Sequence, residues 1–200
     1  EPQRRIDERQ AQGRVGRRRG WRGGGDLAGL HQVVEELLEF APGRERVLCL
    51  NEADGKILWT NDYACAYDIS YPSGPRATPC FAGGRVYTLG AEGRLMCLDA
   101  ATGKEIWMRE LQQDFGIPAP LWGFSAHPLV DGDKLICLVG GQGSIVVAFN
   151  LQTGKELWRA LSAKEPGYSP PMIFEAGGRR QLIIWHPESI NSLDPESGKL

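Results

Sequence analysis

Val47-Leu-Cys-Leu-Asn-Glu-Ala-Asp-Gly55-Lys-Ile-Leu-Trp59 recurs without gaps as Leu95-Met-Cys-Leu-Asp-Ala-Ala-Thr-Gly103-Lys-Glu-Ile-Trp107 and as Val146-Val-Ala-Phe-Asn-Leu-Gln-Thr-Gly154-Lys-Glu-Leu-Trp158. A fourth copy reads Ile190-Asn-Ser-Leu-Asp-Pro-Glu-Ser-Gly198-Lys-Leu200. The glycines Gly55, Gly103, Gly154 and Gly198 are 48, 51 and 44 residues apart. Each copy holds a short apolar strand, a turn opened by Asn51, Asp99, Asn150 or Asp194, a glycine, and a second strand that ends in tryptophan where the copy is long enough. An Asx side chain caps such a turn by accepting amides two or three residues on, and glycine takes the positive φ that closes it. The stretch therefore specifies a β-hairpin, and its recurrence specifies an array of them.

Outward from this signature, a second hairpin pattern precedes each later copy. Residues 78–82 and 85–89 flank Gly83-Gly84, residues 127–130 and 134–139 flank Asp131-Gly132-Asp133, and residues 171–174 and 181–185 flank Ala176-Gly177-Gly178. Four short strands in each unit of 44 to 51 residues is the pattern of a β-propeller blade. Helical repeats of that length need apolar residues every three or four positions, which these units lack. The expected fold is all-β, a partial propeller of four-stranded antiparallel blades. Residues 47–62 are assigned to a half blade, 77–109 and 127–161 to full blades, and 170–200 to an incomplete one. A fourth signature tryptophan would fall at about position 202, so the sequence reads as a fragment of a longer array. Trp59, Trp107 and Trp158 are expected to fill the wedges between blades.

Upstream of Val47 two readings compete. Leu27, Leu30, Val33, Val34, Leu37 and Leu38 are spaced as on a helix over residues 26–40 with Asp26 as a possible cap, whereas the 48-residue offset places a strand at 37–41. The strand is preferred for that last piece, with 26–46 as part of an incomplete first blade. Residues 1–25 carry eight arginines against three acids and no apolar periodicity, and are expected to be a solvated, disordered segment. The rest of the chain holds 15 basic and 22 acidic side chains, which argues against a nucleic-acid groove in the folded part. No run of 18 apolar residues is present, so no transmembrane segment is expected, and no segment has the pattern of a secretory signal. The five cysteines include no CxxC and no adjacent pair, which disfavours a metal knuckle and leaves disulfide pairing unassigned. Cys49, Cys80, Cys97 and Cys137 sit in apolar runs, where a thiol behaves as a small buried hydrophobe. Gly140-Gly141-Gln142-Gly143 is a hairpin turn without the Lys-Ser/Thr of a phosphate loop.

The signature Asp/Asn-x-x-Thr/Asp/Ser-Gly-Lys-x-x-Trp at this period resembles the PQQ-like (pyrroloquinoline quinone) propeller repeat over about residues 45–200. Trp122-Gly-Phe-Ser-Ala-His-Pro-Leu-Val-Asp-Gly-Asp133 and Arg180-Gln-Leu-Ile-Ile look like the bacterial proteins called PQQ-binding-like or BamB-like. The resemblance implies a ring commonly closed by eight blades, in the periplasm or cell envelope. It also implies one of two roles. The first is a noncatalytic scaffold or binding module that engages other protein chains, as in outer-membrane assembly, or a small ligand on its loop-rich face. The second is a PQQ-dependent alcohol or sugar dehydrogenase, with the quinone in the central funnel beside Ca²⁺, a catalytic Asp, a Trp and a disulfide of adjacent cysteines. The scaffold is preferred, since repeats establish architecture while function belongs to a site, and no catalytic or metal residue is assigned.

Alternating strand direction puts the turn between second and third strands on the same end of a blade as the connection to the next blade. The long segments 62–76, 110–126 and 160–169 all belong to that end. Tyr67, Asp68, Arg76, Trp122, Gln142, Tyr168 and His186 are the candidate residues of a binding surface there, since aromatic connections on a rigid scaffold are where contacts are commonly made. Tyr63, Tyr71, Asp114, Phe115, Phe124, Lys164 and Glu165 lie in the same segments. His127 and His186 are too isolated in sequence to suggest a metal site.

Overall fold

A computed structural model describes residues 32–35, 43–70 and 75–200. Four antiparallel sheets follow one another along the chain. The first is β1 (Gln32–Glu35), β2 (Arg44–Asn51) and β3 (Ile57–Ala64), and the second is β4 (Cys80–Ala82), β5 (Arg85–Leu89), β6 (Arg94–Asp99) and β7 (Glu105–Glu110). The third is β8 (Leu129–Asp131), β9 (Lys134–Leu138), β10 (Val146–Asn150) and β11 (Glu156–Ala160), and the last is β12 (Met172–Ala176), β13 (Arg179–His186) and β14 (Ser189–Leu193). Each strand pairs with its sequence neighbour within its sheet, so every sheet is a meander and the array is a partial β-propeller.

The signature hairpins share one geometry. In each, the Asx amide donates to the lysine carbonyl five residues on (Asn51 to Lys56, Asp99 to Lys104, Asn150 to Lys155, Asp194 to Lys199), at 2.7–2.8 Å. The glycine amide returns to the Asx carbonyl at 2.8–2.9 Å, with φ of +71°, +69°, +67° and +70° at Gly55, Gly103, Gly154 and Gly198. The Asx side chains accept the amides of Ala53, Thr102, Thr153 and Glu196. In the first three hairpins the register shifts by one beside the tryptophan pair, between Cys49 and Leu50, Cys97 and Leu98, and Ala148 and Phe149.

Alternation along the strands gives the second and third sheets two apolar faces, one for each neighbour. Val47, Cys49 and Trp59 meet Val86, Met96 and Leu98 between the first two sheets. Tyr87, Leu95 and Cys97 meet Leu135, Cys137, Val147 and Phe149 between the second and third, and Ile136, Leu138, Val146 and Ala148 meet Leu182, Ile184 and Leu193 between the third and last. Each indole lies on the signature glycine of the next sheet. A Cβ added at Gly103, Gly154 or Gly198 would come within 2.4, 2.7 or 2.5 Å of Trp59, Trp107 or Trp158. Trp59 Nε1 donates to Ala100 O at 2.9 Å and Trp107 Nε1 to Leu151 O at 3.2 Å. Leu151 O also accepts from the Tyr87 hydroxyl at 3.1 Å.

The structure adds two details. The helical spacing over 26–40 does not give a helix at 32–35. That piece is β1, with Gln32 opposite Asn51, in the place beside β2 that β5 holds beside β6. Four residues paired to a full strand gain ladder hydrogen bonds whatever their apolar spacing suggests. The strand expected at 37–41 and the basic segment 1–25 lie outside the described residues. In addition, the long connection after β7 begins with one helical turn, α1 (Leu111–Phe115), which buries Leu111 and stops at Gly116 with φ +63°. Five residues are too few to show a helical period in sequence.

Candidate binding face

Because neighbouring strands run in opposite directions, the β4–β5 and β6–β7 turns lie at one end of the second sheet, and the β5–β6 turn lies at the other with the long connections. That end is organised by a residue the sequence reading passed over. Glu45, near the start of β2, is 2% exposed and faces the second sheet with Val47 and Cys49. Its carboxylate accepts hydrogen bonds from the Tyr63 hydroxyl, from the Tyr67 hydroxyl at 3.0 Å and from the Ala91 amide at 2.9 Å. Charge-assisted bonds of this kind satisfy a buried carboxylate. The Arg94 guanidinium stacks 4.7 Å from the Tyr63 ring and pairs with Glu110 at 2.7 Å. Gly90 makes room for the group, since a Cβ there would lie 2.2 Å from Glu45 Oε2. The buried Cys65 thiol beside it is pushed up to about 12, by burial first and by the Glu45 and Glu92 carboxylates next.

From this hub the connections are stitched to one another. The Asp68 amide donates to Glu92 at 2.7 Å, and Gln112 donates to both the Glu92 carbonyl and its carboxylate at 2.8 and 3.0 Å. Ser70 N donates to Leu121 O at 3.2 Å, and Phe124 N to Ala91 O at 2.8 Å. Phe124 is buried on Gly93, and the Arg76 guanidinium lies against Gly123. The Tyr168 hydroxyl accepts from the Trp122 amide at 3.3 Å. Between these anchors Leu121 and Trp122 present side chains 57% and 42% exposed.

Tyr67, Asp68, Arg76, Trp122 and Tyr168 thus come together along one interlocked set of connections. Gln142 is exposed on the β9–β10 turn, next to Gly143, whose amide donates to Ser162 at 2.8 Å. His186 is 4% exposed. Its Nδ1 accepts from the Glu188 amide at 3.4 Å and its Nε2 lies 3.0 Å from Ser189 Oγ, so the ring is bonded within its own hairpin. Tyr71 lies outside the described residues. Glu45 left one signal in the sequence, its odd-numbered phase with Val47 and Cys49, which places it on the buried face of the strand. Glu92 and Gln112 left none, because their bonds join separate segments: Glu92 meets Asp68, 24 residues back, and Gln112, 20 residues on.

The depression lined by Leu89, Pro120, Phe124, Ala126, Leu138 and Pro166 encloses no space for a water molecule. A Ca²⁺ ion asks for six or more converging oxygens, and among the described residues no three His, Cys, Asp or Glu side chains converge as a metal site. All five thiols are free. The described residues therefore do not by themselves fit a quinone backed by Ca²⁺ and a disulfide.

The sequence family described as outer membrane protein assembly factor BamB matches residues 43–200. The chain belongs to this family. The chain is 32% identical over 148 residues to the quinohemoprotein alcohol dehydrogenase ADH IIB of Pseudomonas putida, covering 66% of the chain and 20% of that enzyme. It is 26% identical over 132 residues to the outer membrane protein assembly factor BamB of Bordetella pertussis, covering 64% of the chain and 31% of that protein. Solved structures of a Comamonas testosteroni quinohemoprotein alcohol dehydrogenase and of Moraxella catarrhalis BamB share the fold. The TM-scores are 0.56 and 0.52 at 20% and 16% identity, over 78% of this chain in both cases and 31% and 47% of theirs. The chain spans about a fifth to a third of the curated relatives named here. PQQ-like propellers of both kinds are therefore its relatives. Among the described residues no helix is long and apolar enough to cross a membrane.

Proposed function

We propose that this chain is part of a noncatalytic, BamB-like propeller scaffold of the cell envelope that engages a protein partner through its loop-rich face. One observation carries the reading. Leu121 and Trp122 stand side by side and exposed on a connection whose backbone is pinned by Ser70 on one side and Tyr168 on the other. Large apolar side chains held in place before binding lose little entropy on contact, and an exposed tryptophan on a rigid support is the residue type that most often dominates an interface. The neighbouring polar groups, Glu45, Glu92 and Gln112, are spent on holding the connections.

The dehydrogenase relatives support a second reading, in which the whole protein binds PQQ with Ca²⁺ and oxidises alcohols or sugars, with the required ligands coming from outside the described residues. The two readings separate in the complete gene product. Under the scaffold reading, Trp122→Ala weakens capture of the envelope partner by about tenfold or more and leaves the melting transition in place, while no quinone absorbance accompanies the protein. Bound quinone with dye-linked alcohol oxidation would overturn the scaffold reading. Loss of folding in Trp122→Ala would return the residue to packing.

A further inference from the structure

The Leu121–Trp122 tip is tied to the molecule through the preceding connection, and that connection is tied to a buried carboxylate. The path is continuous. Glu45 holds the Tyr67 hydroxyl at 3.0 Å, the amide one residue on at Asp68 is held by Glu92 at 2.7 Å, and the Ser70 amide holds Leu121 O at 3.2 Å. Glu45 also holds Ala91, whose carbonyl accepts the Phe124 amide at 2.8 Å on the other side of the tip. Both strands of the path start at one side chain that solvent does not reach, 22 and 46 residues away in sequence from the groups it binds.

We propose that Glu45 is a positioning residue for the Leu121–Trp122 tip, acting through the segments around Tyr67–Ser70 and Ala91–Phe124. A group serving only to glue two sheets together would need an apolar side chain, as Ile117 provides against Gly141 at the next junction. A carboxylate with three donors fixes direction as well as proximity, because each bond is lost when its donor rotates away. In naming the tip as the contact surface the proposal rests on the scaffold reading, but the coupling itself is read without any partner.

The experiment is residue-resolved amide hydrogen exchange on the complete gene product, comparing wild type with Glu45→Ala, Glu45→Gln and Tyr67→Phe. The amides of Asp68, Ser70, Trp122 and Phe124 are the reporters, and Val139, bonded to Ile145 O at 2.9 Å where the chain passes from β9 to β10, is the reference. In Glu45→Ala the four reporters exchange about tenfold faster with Val139 unchanged. Glu45→Gln, which keeps an acceptor oxygen, recovers part of the protection. Tyr67→Phe accelerates Asp68 and Ser70 and spares Phe124. Unchanged reporters in Glu45→Ala and Tyr67→Phe overturn the proposal, as does acceleration of Val139 by the same factor, which marks loosening of the whole array. Failure here leaves the contact reading standing, since the Trp122→Ala capture assay does not depend on it.

Discussion

The junction between the first and second sheets and the junction between the second and third use the same device at one end and opposite devices at the other. At the tight-turn end Trp59 and Trp107 each lie on the next sheet's glycine and donate to the carbonyl three residues before it. At the loop-rich end the first junction is polar, with Glu45 and Tyr63 facing Gly90, while the second is apolar, with Ile117 against Gly141 and Phe115 edge-on to Phe149 at 6.2 Å. The signature hairpin therefore fixes blade spacing and leaves the opposite end free to differ. A propeller can change its binding chemistry there without renegotiating how its blades stack.

The sameness of the shared end has the largest expected effect. Trp59→Ala and Trp107→Ala remove equivalent indoles from equivalent wedges, and each costs about 3–5 kcal/mol of stability. Denaturant titration of the complete protein checks the pair. A cost below about 1 kcal/mol for one and the full cost for the other would break the equivalence drawn from Ala100 and Leu151.

A smaller effect sharpens what the glycine does. Gly55 and Gly103 have the same backbone conformation, φ +71° and +69°, but nothing lies within 4 Å of a Cβ at Gly55, whereas Trp59 lies 2.4 Å from one at Gly103. Alanine at either position meets the left-handed backbone cost of about 1–2 kcal/mol. At Gly103 it must also displace the indole, which adds about 1–3 kcal/mol. Equal destabilisation of Gly55→Ala and Gly103→Ala in thermal melts would show that turn conformation alone, and not the close approach of the indole, requires glycine.

What the sequence disclosed divides along the same line. Gly103, Asp99 and Trp107 are legible because the turn, its cap and its strand lie within nine residues, and repetition multiplies a local signal. Tyr67, Trp122 and Tyr168 were legible only as aromatics in long connections. Their contacts join segments such as Trp122 and Tyr168, 46 residues apart, and nothing local encodes which donor meets which acceptor. Glu45 had a readable phase on its strand, yet a lone acid among Arg44 and Arg46 looks like a solvated face until the second sheet covers it. At β1, apolar residues spaced three and four apart pointed to a helix while pairing with β2 decided for a strand, the usual outcome when a short segment is offered a sheet edge.

The smallest effect lies in the turns themselves, which alternate between neutral and titratable caps. Asn51 and Asn150 cap the first and third signature hairpins, and Asp99 and Asp194 cap the second and last. The Asp99 carboxyl is held below its usual range chiefly by the Thr102 hydroxyl, and that of Asp194 chiefly by the Glu196 amide. A carboxyl whose folded pKa is depressed stabilises the fold above its unfolded value of about 3.9 and loses that contribution as pH falls through its folded value. Acid therefore weakens the second and last turns and spares the caps of the first and third. Asp54 and Asp62, held low by Lys56 and Arg44, give the first sheet an acid sensitivity of their own. The clean comparison is consequently Asp99→Asn with Asp194→Asn against wild type. Asparagine keeps the acceptor oxygen, as Asn51 and Asn150 show, so the double variant should match wild type near neutrality and lose less stability below about pH 4. Melting curves across that range decide it: parallel acid limbs in the two proteins would mean that these side chains cap their turns equally well with the proton on.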